Sequence, residues 1–118
     1  MGNEEFWLKL DQLVAGSLVK VDRPKGTAHP RYPSFVYALD YGYLENTRSG
    51  DGGGIDVWVG GLSEKGVTAI ICTIDLEKRD SEMKILLGCT AQEVQTILTA
   101  LSKGSQGTLL VERPSWTR

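Results

Sequence analysis

Two aspartates bracket a run of glycines in Ser49-Gly-Asp-Gly-Gly-Gly-Ile-Asp-Val-Trp-Val59, and carboxylates so placed can share a cation under only one backbone condition. On a straight strand Asp51 and Asp56 would stand about 17 Å apart and, being an odd number of residues apart, on opposite faces. A magnesium ion takes oxygen ligands at roughly 2.1 Å in near-octahedral geometry, so the chain between them must fold back sharply for both to reach it. Three glycines permit that fold. They equally suit a plain hairpin in which Asp51 shapes the turn and Ile55 to Val59 starts a strand, and both readings stand at this level.

A shared metal requires further carboxylates. The stretch Asp75-Leu-Glu-Lys-Arg-Asp-Ser-Glu-Met-Lys84 offers them, since Asp75 follows an apolar run and Glu82 and Lys84 flank the start of the next. The alternative is a solvated hairpin turn. Tyr37, Tyr41 and Tyr43 occupy odd positions, hence one face of an extended segment, where their hydroxyls line a polar site or the edge of a core. Lys20, Arg23, Lys25 and Arg31 lie upstream, and guanidinium forks suit phosphate oxygens. His29 has no second histidine to pair with, so it reads as a loop residue hydrogen-bonded to backbone.

The elements that must position these groups are short. Asn3, Glu4 and Glu5 can start a helix in which Phe6, Leu10, Leu13 and Val14 recur at helical spacing up to Gly16. Leu18 to Asp22 alternates as a half-buried strand does, and Pro24 to Pro33 is an ordered loop broken by three prolines and a glycine. Phe35 to Leu44, Ile55 to Val59, Val67 to Ile74, Met83 to Leu87 and Thr108 to Val111 read as extended. Thr90-Ala-Gln-Glu93 matches a capping box for a helix from Ala91 to Lys103, whose stripe of Val94, Ile97, Leu98 and Leu101 should pack on the sheet or on a second subunit of a homo-oligomer. A small, largely antiparallel barrel or strongly curved sheet with flanking helices is the economical arrangement.

At 118 residues the chain fits a single domain, 1–118, with one modest core. A net charge of −2 shows no cationic excess, so no nucleic-acid partner is expected. No segment approaches a membrane span, and no basic-then-apolar start marks a secretory signal, which implies a cytoplasmic protein. Cys72 and Cys89 read as free thiols among apolar neighbours.

The segment VDRPKGTAHPRYPSFVYALDYGYLENTRSGDGGGIDVWVG, from Val21 to Gly60, resembles the central part of the soluble, magnesium-dependent inorganic pyrophosphatases, and more closely their short bacterial relatives. Tyr41-Gly42-Tyr43 matches the family's Tyr-Gly-Tyr, and Asp51 and Asp56 match the outer aspartates of its Asp-x-Asp-Pro-x-Asp motif. Ile70 to Asp75 and Glu82-Met83-Lys84-Ile85-Leu86 resemble its next landmark. The resemblance implies a mainly β (α+β) fold, an OB-like antiparallel β-barrel with an N-terminal and a C-terminal helix. It implies Mg2+ and a small phosphate-containing ligand, with Asp51, Asp56, Asp75 and Glu82 as metal ligands and Asp51 and Asp56 catalytic. Tyr41, Lys84 and an upstream cation among Arg23, Lys25 and Arg31 become phosphate contacts. The chain also departs from the family. The middle aspartate, which orients or deprotonates the attacking water, is Gly53; the acidic turn is longer, so Asp80 rivals Glu82; and the C-terminal Tyr and Lys pair is absent. Slow hydrolysis of pyrophosphate or a related phosphoanhydride is one implication, and a binding or interaction module without turnover is the other.

Overall fold

The computed structural model describes residues 2–115. Its elements run α1 (Gly2–Ala15), β1 (Val19–Arg23), β2 (Asp40–Leu44), β3 (Ile55–Val59), β4 (Val67–Asp75), β5 (Asp80–Leu87), α2 (Ala91–Leu101) and β6 (Gln106–Glu112). The strands form one mixed sheet in the order β1-β2-β3-β5-β4-β6. The protein is therefore mainly β, of the α+β class, but the sheet is open. Of the two arrangements expected, a largely antiparallel barrel or a strongly curved sheet, the closed barrel is not what forms: among the described residues β1 and β6 end the sheet without pairing with each other, and the otherwise antiparallel sheet has β3 parallel to β5.

The reason lies in β5. Ile85, Leu86 and Leu87 are all buried, which demands cover on both faces and so an interior position. After the turn at Asp75 to Asp80, β5 pairs with β4 along its length and lays its other edge on β3. β1, exposed along most of its length, takes an outer edge. Glycine is required where β1 meets β2, because a Cβ on Gly42 would stand 1.8 Å from the Lys20 carbonyl oxygen. A bulge between Val21 and Arg23 follows at the same crossing.

A helix covers each face. Thr90 and Glu93 form the capping box, and Val94, Ile97 and Leu101 of α2 are buried against Trp58, Ala69, Ile71 and Leu86, with Leu98 partly buried beside them. On the other face Trp7 and Leu10 of α1 pack with Leu44, Val57, Ile70 and Ile85. The inward stripe of α1 is thus Trp7, Leu10 and Val14, and Phe6 and Leu13, expected inside, are exposed. Arg113 pins α1 to the end of β6 through a bidentate pair with Asp11, at 2.7 and 2.6 Å. Among the described residues no helix is long and apolar enough to cross a membrane.

The stretch from Phe35 to Leu44 is sheet only from Asp40 onward. Its first half closes a loop through the Ala28–Val36 bridge, with the Tyr37 N–H donating to the Thr27 carbonyl at 2.9 Å and the Gly26 N–H to the Tyr37 carbonyl at 2.8 Å. Tyr37 and Leu39 turn their side chains into the core, which explains why a loop carries so apolar a sequence.

Candidate functional site

Strand alternation sends Trp58, Leu86 and Ile71 to the α2 face, and the same alternation places Asp56, Glu82, Lys84 and Thr73 on that face. Tyr41 and Tyr43 of β2 join them, paired in register with Trp58 and Asp56. Apolar residues occupy the part of the face beneath α2. Near the C-terminal end of α2 the face opens into a cleft of about 630 Å3, and there the row turns polar.

Lys84 is the centre of this polar row. Its side chain is buried, and Nζ donates to the Tyr41 hydroxyl at 2.8 Å, to Asp56 Oδ2 at 3.0 Å and to Glu82 Oε1 at 3.0 Å. These three partners use the whole donor capacity of an ammonium group. Burial works against the Lys84 charge, but the groups it faces, Tyr41, Asp56 and Glu82, outweigh that and hold its pKa above the ordinary lysine value. Burial likewise pushes the Tyr41 hydroxyl well above the usual phenol range, against the opposing pull of Lys84. Lys84 therefore stays charged and Tyr41 neutral near pH 7. The Asp56 and Glu82 side chains stay 29% and 23% exposed.

The aromatic side of the cleft comes from the loop before β2. Rings follow one another from Tyr32 to His29 (5.0 Å between centroids), His29 to Tyr37 (6.2 Å), Tyr37 to Tyr41 (5.2 Å) and Tyr41 to Trp58 (4.7 Å). His29 Nδ1 accepts the backbone N–H groups of Arg31 and Tyr32 at 3.0 and 3.2 Å, which is the loop role expected of it and leaves the neutral ring's proton on Nε2. Desolvation, with Arg23, Lys78 and Arg31 adding their charge, lowers its pKa, so it is neutral near pH 7. The Arg23 guanidinium donates to the Tyr37 hydroxyl and stands 5.7 Å above that ring. Trp58 lines the cleft, and its buried Nε1 has no hydrogen-bond partner among the described residues.

The residues singled out in the sequence separate into two groups. Tyr41, Asp56, Glu82 and Lys84 meet directly, and Arg23, Asp75 and Asp80 line the same cleft. Asp51 does not line it. Its Oδ1 accepts from Ser49 Oγ and from the Gly53 N–H at 2.9 Å, in a loop where Gly52 has φ +89°, so the carboxylate shapes its own turn. Those hydrogen bonds hold the Asp51 carboxyl below the usual range, and the Lys84 charge adds a smaller pull. Asp75 is similarly engaged: Oδ1 accepts from the Glu77 and Lys78 N–H groups and from Ser105 Oγ, which lowers its pKa. Lys25 and Arg31 are exposed and outside the lining; the Lys25 N–H donates to Asp40, and the Arg31 guanidinium lies 6.0 Å from the Tyr32 ring centroid. Among the described residues no group of three or more His, Cys, Asp or Glu side chains is placed to hold a metal ion.

Sequence reasoning passed over Tyr32, Trp58, Lys78 and Lys103, all in the cleft lining. The density of rings between His29 and Tyr43 was the available signal for the aromatic wall. Lys103 had none, because only the turn from α2 into β6 brings it to the cleft. Cys89 is buried, and burial raises its thiol to about 11, so it takes no part as a nucleophile; Cys72 is half-buried.

With this geometry in hand, comparison with solved structures is decisive for the fold. An inorganic pyrophosphatase from Neisseria gonorrhoeae superposes with a TM-score of 0.66 at 16% identity, over 85% of this chain and 84% of that one. The chain shares the fold of inorganic pyrophosphatases. A second such enzyme, from Coxiella burnetii, gives a TM-score of 0.52 at 11% identity over 81% of this chain and 82% of its own. No protein-family model and no curated protein matches the sequence.

Proposed function

We propose that the cleft binds the magnesium complex of a small phosphoanhydride, inorganic pyrophosphate foremost, and hydrolyses it slowly. One observation carries the reading: the buried Lys84 ammonium donates to both Asp56 and Glu82 in the lining of an open cleft, and both acidic side chains stay partly exposed. The residues fit magnesium that arrives with its ligand. Such ions are commonly held by one or two carboxylates together with substrate phosphates and water, without a protein cage. When bound, the ion neutralises phosphate charge and lowers the pKa of a coordinated water. Lys84 sets the spacing of the two carboxylates and supplies positive charge to the anhydride. Tyr41, kept neutral, fixes the ammonium from the β2 side, and Arg23 offers its remaining N–H donors to phosphate oxygens. Asp51 and Asp75 would join only by leaving their turn hydrogen bonds.

Phosphate release from pyrophosphate, measured with and without magnesium for the parent and for Asp56→Asn, tests the reading. Magnesium-dependent release that falls with Asp56→Asn supports it. A folded parent that neither releases phosphate nor binds pyrophosphate with magnesium overturns it. The second reading, a binding module without turnover, is favoured by Gly53, which places no carboxylate beside Asp51 and Asp56. Binding without release would select it.

A further inference from the structure

Bare pyrophosphate accounts for only one end of the cleft. Its oxygens can be met at Asp56, Glu82, Lys84 and Arg23, yet the same cavity continues along the rings of Tyr37, His29 and Tyr32, where an inorganic anion has nothing to offer. The volume of about 630 Å3 is that of a site for a whole organic ligand, for which roughly 300–1,000 Å3 is usual. The ring wall is held in place before any ligand arrives. His29 is fixed by two backbone N–H donors to Nδ1, Tyr37 is buried and held by Arg23, and Phe35 packs edge-on against Tyr37 at 5.0 Å. Tyr32, the outermost ring, is 48% exposed although it sits in a tightly hydrogen-bonded loop. Cations line the cleft among the acidic side chains: Arg23 beside Tyr37, and Lys78 and Lys103 from the turns after β4 and α2. From the His29 ring to the Tyr41 ring are two steps, of 6.2 and 5.2 Å, so one ligand with a flat apolar part and a polyphosphate tail can touch both ends.

We propose that the preferred ligand is a nucleoside 5′-di- or triphosphate, with its base against His29 and Tyr32 and its anhydride at Asp56, Glu82 and Lys84. The proposal rests on the phosphoanhydride reading above and narrows it. Aromatic stacking accepts any base, so the site selects for the presence of a base and not for its identity. The sugar lies along Tyr37 and Arg23, and Asp56 and Glu82 would face the terminal phosphates and the magnesium that accompanies them.

Two non-hydrolysable probes differ by the nucleoside. Calorimetric titration of the full chain with magnesium compares methylenediphosphonate, which mimics the anhydride alone, with α,β-methylene-ADP. The nucleotide probe should bind about 5- to 150-fold more tightly, the range a stacked base contributes. Tyr32→Ala, at an exposed position, should shrink that ratio severalfold, and Tyr32→Phe, which keeps the ring, should retain it. If methylenediphosphonate binds and the nucleotide probe binds no tighter, the nucleotide proposal is wrong and the phosphoanhydride reading survives. A ratio unmoved by both Tyr32→Ala and His29→Ala likewise overturns it. Failure of both probes to bind the folded parent overturns the two together.

Discussion

Lys84 Nζ lies 3.0 Å from Asp56 Oδ2 across the β3–β5 pair, the one place among the described residues where neighbouring strands run parallel. Parallel pairing with Val57 opposite Ile85 brings the residues just before them, Asp56 and Lys84, level on one face. Glu82, two residues earlier on β5, accepts from the same ammonium at 3.0 Å. One strand pairing thus builds the cation-centred carboxylate pair on which the functional reading rests.

Removing the cation should expose the cost of that arrangement. Lys84→Met leaves two carboxylates facing each other and the Tyr41 hydroxyl without its donor. Because Asp56 and Glu82 keep some contact with water, the expected loss is about 1–3 kcal/mol, below that of a fully buried pair. Urea unfolding of parent and variant measures it. No change in the midpoint would mean that water replaces the ammonium freely.

The alkaline limb of stability follows from the same pair. Lys84 and Tyr41 both have folded pKa values above their ordinary 10.5 and 10.0. The folded state therefore holds protons that the unfolded chain has released, and stability falls as pH rises past those ordinary values. Below about pH 9 neither group contributes a slope. Unfolding midpoints between pH 8 and pH 11, compared with those of Lys84→Met with Tyr41→Phe, should show a steeper decline in the parent; parallel curves would contradict it.

The acid limb has the opposite sign. Asp11, hydrogen-bonded to Arg113, and Glu93, which accepts from the Thr90 and Gly61 N–H groups, have folded pKa values below their ordinary 3.8 and 4.5. Their contribution is present above the ordinary values and is lost as pH falls through the folded ones. Glu93→Ala should remove part of that acid sensitivity and cost about 0.5–1.5 kcal/mol at pH 7, the net range of a typical hydrogen bond. Thermal melts at pH 7 and pH 3 would check both effects.

Legibility in the sequence tracked how local each signal was. Ile55–Val59 and the capping box at Thr90 were readable to the residue, because a β-branched run and a side chain bonded three residues on are short-range facts. The parallel β3–β5 contact was not, since nothing local to either strand shows that β5 passes inside β4. Its indirect trace is the unbroken apolar end of β5, where burial on both faces erases alternation. At the site, Tyr41, Asp56, Glu82 and Lys84 were visible as spaced polar residues on strands. Asp51 carried the same sequence signal, but its nearest hydrogen-bond donors lie within its own glycine turn, and local bonding prevailed there. Phe6 and Leu13 were misplaced because α1 turns Trp7, its largest ring, inward.

The helix that roofs the apolar half of the face offers a direct packing test. Ile97 is fully buried against the sheet, whereas Leu98 is only partly so. Ile97→Ala should cost about 2–5 kcal/mol and Leu98→Ala clearly less, measured by urea unfolding. Equal losses would place both side chains in the core alike.

The remaining prediction separates a dormant site from a binding module. Gly53 stands where the resembled family carries its water-orienting aspartate, and it is conformationally free to change. Its φ is not in the left-handed region, and the nearest atom to an added Cβ is Asp51 Oδ1 at 3.4 Å, an ordinary contact. Gly52, at φ +89°, lacks that freedom. The hydrogen bonds of Gly53 run through its backbone N–H and carbonyl, so Gly53→Asp preserves them. The new carboxylate would repel Asp51 until a cation joins them, which predicts weaker loop order without magnesium and a gain of order with it. Gly53 lies outside the cleft lining, so Gly53→Asp should raise magnesium-dependent phosphate release from pyrophosphate, by the about 100- to 10,000-fold of a positioned general base, only where the bound magnesium complex draws the glycine loop towards Asp56. Adding Asp56→Ala should abolish the gain. Circular dichroism and urea unfolding must show the variant folded before its rate is read. A folded Gly53→Asp protein that binds pyrophosphate with magnesium yet releases phosphate no faster than the parent would favour a binding module over an enzyme awaiting its base.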